Sequence, residues 1–522
     1  MRIRPVTRRV AVAVVVGAAA VTAACSSGSD SADFTATAGR PLVISLDQLL
    51  DKTGGHAAVA VADPQHGTLS RRLDGALVYT PAAGYTGSDS ITVTTTDAVR
   101  LFTTDIPPIG EFGGVPVQAS AYGSAFTPVP GSTDEFYGLT DRGPNVDGKG
   151  KNEKIAPVPD FTPQIAKFKL VGNKAVVEST ILLKNPAGQP FNGLVDTSAT
   201  TGETIKDLTG KALPPTDHGI DSEGLVALAD GTFWISDEYG PFLVHFDAKG
   251  AELERLAPGR GLPKELAFRT PNQGMEGLTV TPDGSTLVGV VQSALNEPGV
   301  TNARETPMTR IVTVDLKTKA VKEFALPLES PKEKLAVSEI TALSNTTFLV
   351  DERDGNKAPK ANKKLWTVDI AGATDIGPDA KVPGAQYDPE KGLLIDGKPI
   401  EVYVGTVSTA DGIAALKKAG ITPVAKTGNL DLGGLLDGLN ADGKFFGHDK
   451  IEGVATNDHG KTLYISNDSD FGIEAVTGDQ PPFGLKAKIL PNGVQDTGEI
   501  LAVDTTKLPA KTETKKVTLT VE

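Results

Sequence analysis

The sequence predicts an all-β chain, a β-propeller of about six blades preceded by a small β-sandwich, on three observations. The first is a repeat. Four times a glutamate opens a short apolar run, a tight turn follows, and a second apolar run ends in carboxylates or amides. The copies are Glu223-Gly224-Leu225 to Ser236-Asp237-Glu238, Glu276-Gly277-Leu278 to Gln292, Glu339-Ile340-Thr341 to Asp351-Glu352, and Glu452-Gly453-Val454 to Asn467-Asp468. A fifth, degenerate copy, Phe136-Tyr137-Gly138-Leu139-Thr140-Asp141-Arg142, lacks the glutamate but keeps the ending. The second observation is the interval of about 50 to 60 residues, which suits stacked blades better than one sandwich. The third is composition: 57 glycines and 36 prolines in 522 residues favour many short strands joined by turns.

At the N-terminus, Arg2, Arg4, Arg8 and Arg9 precede an uncharged run from Val10 to Ala24. That run is too short for a stable membrane-spanning helix, so residues 1–24 are expected to be an export signal. Val21-Thr22-Ala23-Ala24-Cys25 resembles a bacterial lipobox, in which the cysteine carries the lipid. Arg8-Arg9 also admits a twin-arginine route. Cys25 is the sole cysteine, which excludes an intramolecular disulfide; it is either the lipid acceptor or a free thiol in a discarded peptide. Residues 25–33 read as a small, polar tether. The expected product is a cell-surface lipoprotein on the outer leaflet of the cytoplasmic membrane, touching the membrane through its lipid alone. Without the four leader arginines the net charge of −14 becomes about −18, which repels phosphate backbones and argues against nucleic acid as a partner.

Residues 34–98 alternate apolar and polar positions in short pieces, as a small sandwich does. His66-Gly67-Thr68-Leu69, Tyr79-Thr80-Pro81, Gly84-Tyr85, Gly87 and Asp89-Ser90 resemble bacterial Ig-like or cadherin-like repeats. Asp89 either caps a turn or binds calcium.

Residues 99–522 are assigned to the propeller. In the clearest copy Glu223 to Leu228 reads as a strand, Ala229-Asp230-Gly231 as a hairpin turn and Thr232 to Ser236 as the partner strand. The turn glycines Gly231, Gly284 and Gly460 each lie eight residues after their glutamate. Two stretches break the rhythm and read as insertions: Asn145 to about Pro215, and Ser408 to Asn440 with helical pieces at Asp411 to Ala419 and Leu430 to Leu439. Each either forms a lid or covers a blade.

In an up-and-down blade the start of the first strand lies beside the end of the second. Glu223 then neighbours Asp237 and Glu238, Glu276 neighbours Gln292, Glu339 neighbours Asp351, and Glu452 neighbours Asn467 and Asp468. Radial blades converge these ends on one mouth. Carboxylates crowded there raise one another's pKa unless cations neutralise them. A hard divalent cation, calcium foremost, fits an oxygen-rich set lacking imidazole and thiolate clusters. The alternative is that these side chains cap turns through backbone hydrogen bonds.

His218 and His448 precede their glutamates in mouth-side loops, where a histidine acts as general acid, completes a metal site or bonds its own loop. Arg142 and Arg353 sit in mouth-side turns, either gripping a phosphate or carboxylate or balancing acidic neighbours. Trp234 and Trp366 lie in strand runs and read as core.

His218 to Gly240, Asn272-Gln273-Gly274-Met275-Glu276-Gly277-Leu278, Thr140-Asp141-Arg142-Gly143-Pro144-Asn145 and Glu452-Gly453-Val454-Ala455 together resemble the secreted bacterial family called esterase-like activity of phytase. The resemblance covers most of Val99 to about Thr506 and implies a propeller with an acidic top face and hydrolysis of phosphate or carboxylic esters. The leading expectation is a metal-dependent hydrolase of a small anionic ester. Glu223, Asp237, Glu238, Glu276, Glu339, Asp351, Glu452 and Asp468 would ligate the cation, Arg142 and Arg353 orient the anion, and His218 or His448 protonate the leaving group. A serine esterase fits less well, because Ile220-Asp221-Ser222-Glu223-Gly224 lacks the first glycine of a nucleophile elbow and leads into a strand. The other expectation is a non-catalytic propeller that binds a glycan, peptide or envelope partner.

Overall fold

The computed structural model describes residues 32–199, 202–333 and 335–522. The stretch expected to be an export signal and Cys25 lie outside the described residues.

Among those residues, five four-stranded blades are present, written here from inner to outer strand. The first is Ala125–Pro128, Glu135–Leu139, Gln164–Val171 and Lys174–Leu182. The second, with a short fifth edge strand, is Ser222–Ala227, Phe233–Asp237, Phe242–Phe246 and Glu252–Pro258. The third is Met275–Val280, Thr286–Val291, Met308–Asp315 and Val321–Pro327. The fourth is Ala336–Ala342, Thr347–Arg353, Lys363–Asp369 and Ala425–Asp431. The fifth is Ile451–Ala455, Thr462–Asn467, Glu499–Asp504 and, as its outermost strand, Val99–Thr103. Each inner strand packs on the next and the fifth packs on the first, so the ring closes. The strand that enters the propeller therefore completes its last blade.

The five blades correspond to the five sequence copies, one fewer than the interval suggested. The reason is that the extra length is spent inside blades. The stretch read as an insertion from Asn145 contains the third and fourth strands of the first blade, and the one from Ser408 contains the outer strand of the fourth. The true excursions are a separate sheet built from Val146–Asp147, Glu153–Ile155, Thr204–Lys206 and Ala212–Leu213, and a module between Asp369 and Ala425. That module carries helices Ile400–Val404 and Thr409–Lys418; helix Leu432–Leu439 follows the outer strand.

Strands Phe233–Asp237, Thr286–Val291, Met308–Asp315 and Thr347–Arg353 are buried along nearly their whole length because each blade is covered on both faces by its neighbours. Trp234 of the second blade packs with Leu278, Leu287 and Val312 of the third; Val288 and Ile311 of the third pack with Ile340 and Phe348 of the fourth. Hairpins close through glycines in the left-handed region: Gly231, at φ 85°, follows Asp230, whose carboxylate accepts from the Thr232 amide at 3.0 Å.

The sandwich has one sheet ordered Phe34–Ala36, Thr512–Val521, Gly87–Thr96, Ala57–Ala62 and another ordered Leu42–Ile44, Leu77–Pro81, Gly67–Arg71. Thr512–Val521, within the span assigned from sequence to the propeller, pairs along Gly87–Thr96, so the chain's last strand returns to its first module. Asp89 is a turn cap: its carboxylate accepts from the amides of Gln65, His66 and Ser90 and from the Tyr79 hydroxyl.

Candidate functional site

In three of its four copies the repeated glutamate is the first residue of a β-bulge. In the second blade Ser222 pairs with Asp237 and Leu225 with Ile235, leaving Glu223 and Gly224 opposite Ser236 alone. The same shift sets Glu276-Gly277 opposite Val290 and Glu452-Gly453 opposite Ser466. A bulge kinks its strand and re-aims a side chain; here Glu223, Glu276 and Glu452 line one cavity at the propeller mouth. The glycine has its own cause. A Cβ on Gly224 would lie 2.6 Å from the Leu278 amide nitrogen, and one on Gly453 2.8 Å from that of Phe126, so adjacent inner strands meet backbone to backbone.

Register then aligns the remaining blades. In the fourth, Val337 pairs with Glu352 and Ile340 with Val350, which gives Ser338 the glutamate position and Glu339 the glycine position. In the first, Phe126 pairs with Gly138 and meets Gly453 as Leu278 meets Gly224, so Ser124 holds the glutamate position. The hydroxyls of Ser124 and Ser338 are buried without a hydrogen-bond partner. One position past each second strand's core, the equivalent residues are Asp141, Glu238, Gln292, Arg353 and Asp468, and all five line the same cavity of about 330 Å³.

Asp221, Glu223 and Glu238 each bring an oxygen within 4.8 Å of the others, and all three are buried. Burial, then the charges of Glu276, Asp221, Glu238 and Glu452, holds Glu223 well above the usual carboxylate range. Burial followed by Glu276 and Asp221 does the same to Glu238, and burial followed by Glu452 to Glu276. The Oε2 atom of Glu276 has no hydrogen-bond partner. Across the cavity Asp141 is raised by burial and by Asp468 and Asp221. Asp468 is pushed up to about 7 by burial even though Lys450 stands 2.8 Å away.

The cations of the mouth are mostly neutralised. Arg142 lies 3.1 Å from Glu203 and 3.4 Å from Asp221, and donates to the Tyr239 hydroxyl at 2.9 Å. Arg353 ion-pairs with Glu452, and Lys450 bridges Asp468 and Asp470.

Of the residues expected from sequence, Glu223, Glu238, Glu276, Glu452, Asp468, Arg142 and Arg353 line this cavity. Five do not. Asp237 alternates to the other side of its strand and caps a turn, its Oδ1 accepting from the amides of Tyr239 at 2.7 Å and Gly240 at 3.3 Å. Glu339, one residue out of phase with the other glutamates, accepts from the Leu278 amide at 3.1 Å and lines a separate funnel at the opposite end of the channel. Asp351 pairs in register with Glu339 and is pushed up to about 8, chiefly by burial. His218 lies off the cavity, 2.8 Å from Asp217. His448 is buried between Asp496 at 3.2 Å and Glu499 at 3.1 Å; burial opposes its charge, but the two carboxylates outweigh it and raise the imidazole to about 9. Such a locked cation is a poor proton donor near neutrality.

Sequence reasoning overlooked Asp221, Lys450 and Arg304 as mouth residues. For the first two a signal existed: each lies two residues before its bulge glutamate, the period that keeps side chains on one face of a strand. Arg304 sits in the long connection between the second and third strands of its blade, where no periodicity points to it.

Among solved structures, hydrazine synthase of Kuenenia stuttgartiensis is similar at 11% identity, covering 69% of this chain and 97% of that one with a TM-score of 0.30. Virginiamycin B lyase from Staphylococcus aureus is similar at 12% identity, covering 71% and 99%, with a TM-score of 0.24. The propeller here is defined by its own strand pairing. An uncharacterized secreted protein of Arthroderma benhamiae is 27% identical over 283 residues, 42% of this chain, and the match spans 54% of that relative's length. Residues 20–105 match the bacterial Ig domain model. Residues 121–471, which contain all the mouth residues up to Asp470, match the model described as esterase-like activity of phytase, and the chain belongs to this phytase-like family.

Proposed function

We propose that the protein is an exported hydrolase of small anionic esters, phosphate or carboxylic, working at the acidic mouth of the propeller with a bound divalent cation. The observation that carries this reading is the convergence of Asp221, Glu223 and Glu238 with the partnerless carboxyl oxygen of Glu276 in one polar cavity. All-oxygen donors at this spacing suit calcium or another hard divalent cation, which would offset substrate charge and activate water. Glu276, held above the usual carboxylate range by burial and then by Glu452, suits the general acid that protonates the leaving alcohol, in place of the histidines. A cation held by Asp221, Glu223 and Glu238 would displace the proton of Glu238, leaving that carboxylate able to accept the proton of the attacking water. Export, and attachment through Cys25, accord with the leader sequence; among the described residues no helix is long and apolar enough to cross a membrane.

The test is turnover by the purified protein of phosphomonoesters, phosphodiesters and carboxylic esters, with calcium and with excess chelator. Hydrolysis that disappears on chelation and returns with calcium is expected. Full activity in chelator would overturn the metal-dependent reading. The second reading, a non-catalytic propeller that binds a glycan, peptide or envelope partner, is favoured by one observation: neither His218 nor His448 reaches the mouth. Calcium-dependent binding with no turnover on any ester would support it.

A further inference from the structure

Of the guanidinium and ammonium groups at the mouth, Arg142, Arg353 and Lys450 each face at least one carboxylate. A cation already compensated in this way has little net attraction left for an incoming anion. Arg304 differs. Among the described residues it forms no ion pair, it is exposed, and it lines the same cavity as Glu238 and Glu276. It is held in place all the same: with the Gln273 amide oriented as its hydrogen-bond network requires, its oxygen accepts from Nε at 2.7 Å and from Nη2 at 2.5 Å and its nitrogen donates to Ser293 Oγ at 2.7 Å. A neutral amide fixes the plane of the guanidinium without cancelling its charge, at a residue that lines the cavity. Beside it Asn272, in the left-handed region at φ 56°, also lines the mouth and carries an Oδ1 with no hydrogen-bond partner. A residue held in that region marks a constrained segment.

We propose that Arg304 is the specificity-determining residue of this mouth, gripping an anionic oxygen of the ligand, with Gln273 as the residue that positions it. The inference rests on the ester-hydrolase reading for the identity of the substrate, but anion binding is measured apart from turnover. The fork geometry of an arginine matches two oxygens of a phosphate or carboxylate, which a lysine cannot reproduce.

The experiment is titration calorimetry of inorganic phosphate into the full-length protein with calcium present, alongside kinetics on charged and neutral esters. Arg304→Ala is expected to weaken phosphate binding by about tenfold or more, and Arg304→Lys by less. Gln273→Glu, which supplies Arg304 with a carboxylate partner, is expected to weaken it similarly although the arginine is kept. Arg260→Ala, an exposed arginine outside the cavity, is the control and should leave binding unchanged. Arg304→Ala should also raise KM for anionic esters relative to neutral ones. Unchanged thermal unfolding of Arg304→Ala separates this effect from misfolding. Phosphate affinity that is absent in the parent protein, or equal in parent and Arg304→Ala, overturns the inference. Phosphate bound through Arg304 by a protein that hydrolyses no ester leaves this inference standing and removes the hydrolase reading.

Discussion

Gly277 and Glu339 meet so closely that a Cβ on the glycine would lie 2.5 Å from the glutamate's Cα and 2.6 Å from its Oε1. Glu339 occupies the position that is glycine in the second, third and fifth blades, and its carboxyl reaches back to accept from the Leu278 amide at 3.1 Å and its own neighbour's amide, Ile340, at 2.9 Å. The pair joins the third and fourth blades at the channel wall. Gly277→Ala must push two inner strands apart, and overpacking of this kind costs about 1 to 3 kcal/mol. Glu339→Ala leaves a buried amide unsatisfied at a cost of about 1 to 3 kcal/mol, whereas Glu339→Gln keeps an acceptor and costs less. Urea unfolding midpoints check the order; a Gly277→Ala protein as stable as the parent would contradict the contact.

His448 gives a prediction with a defined pH window. Its imidazole is raised from 6.5 to about 9 by Asp496 and Glu499 against the opposing effect of burial. A group raised on folding stabilises fully below its unfolded value, so the contribution is complete below pH 6.5 and fades as pH rises through about 9. A shift of this size corresponds to roughly 3 kcal/mol. His448→Gln should lower stability most at pH 6 and progressively less towards pH 10, because the parent loses the same contribution there. Denaturation across about pH 6 to 10 measures it, and a pH-independent difference between the two proteins would count against the locked imidazolium.

The five repeats, the up-and-down hairpins and the convergence of their ends were legible because strand period and turn glycines are local properties of the sequence. The bulge was not. Counting from glutamate to glutamate assumes one residue per ladder position, yet an extra residue enters at Glu223-Gly224, Glu276-Gly277 and Glu452-Gly453, and at Ser338 in the fourth blade. Glu339 stands at the second bulge position and not the first, which takes it out of the mouth, and the position of Glu238 is held in that blade by Arg353. The histidines looked equivalent in sequence, each just before its glutamate, but their surroundings come from distant chain: Asp496 and Glu499 enclose His448 from the connection before the fifth blade's third strand and from the start of that strand. Arg304 was invisible for the same reason, since only the folded connection brings it to Gln273.

Glu276 is expected to be the most sensitive side chain for turnover. Its Oε2 lacks a protein partner and its carboxyl is held above the usual range by burial and by Glu452. Glu276→Gln removes the transferable proton while keeping size and one hydrogen-bonding oxygen, so kcat should fall by about 10² to 10⁴ for esters with poor leaving groups. Esters with leaving groups that depart unprotonated, such as nitrophenolates, should lose far less. Equal losses on both classes would assign Glu276 to binding instead of proton transfer.

The raised carboxyls tie cation affinity to pH. Glu223, Glu238 and Glu276 have ordinary values near 4.5 and are all held well above it in the fold, burial first. Between those limits the folded protein binds more protons than the unfolded chain, so without cation its stability should fall as pH rises out of the ordinary carboxylate range. A divalent cation on Asp221, Glu223 and Glu238 competes with the same protons, so it binds more tightly as pH rises and expels protons as it does so. The thermal shift given by millimolar calcium should therefore grow between about pH 5.5 and 8. Calorimetry in two buffers of different ionisation enthalpy should register the released protons. Glu223→Gln and Glu238→Gln should each reduce both the shift and the release, and raise the stability of the cation-free protein at the upper pH by removing a charge from the crowd. A calcium shift of the same size at both ends of the range, with no proton release, would mean that the cation sits elsewhere than on these three carboxylates.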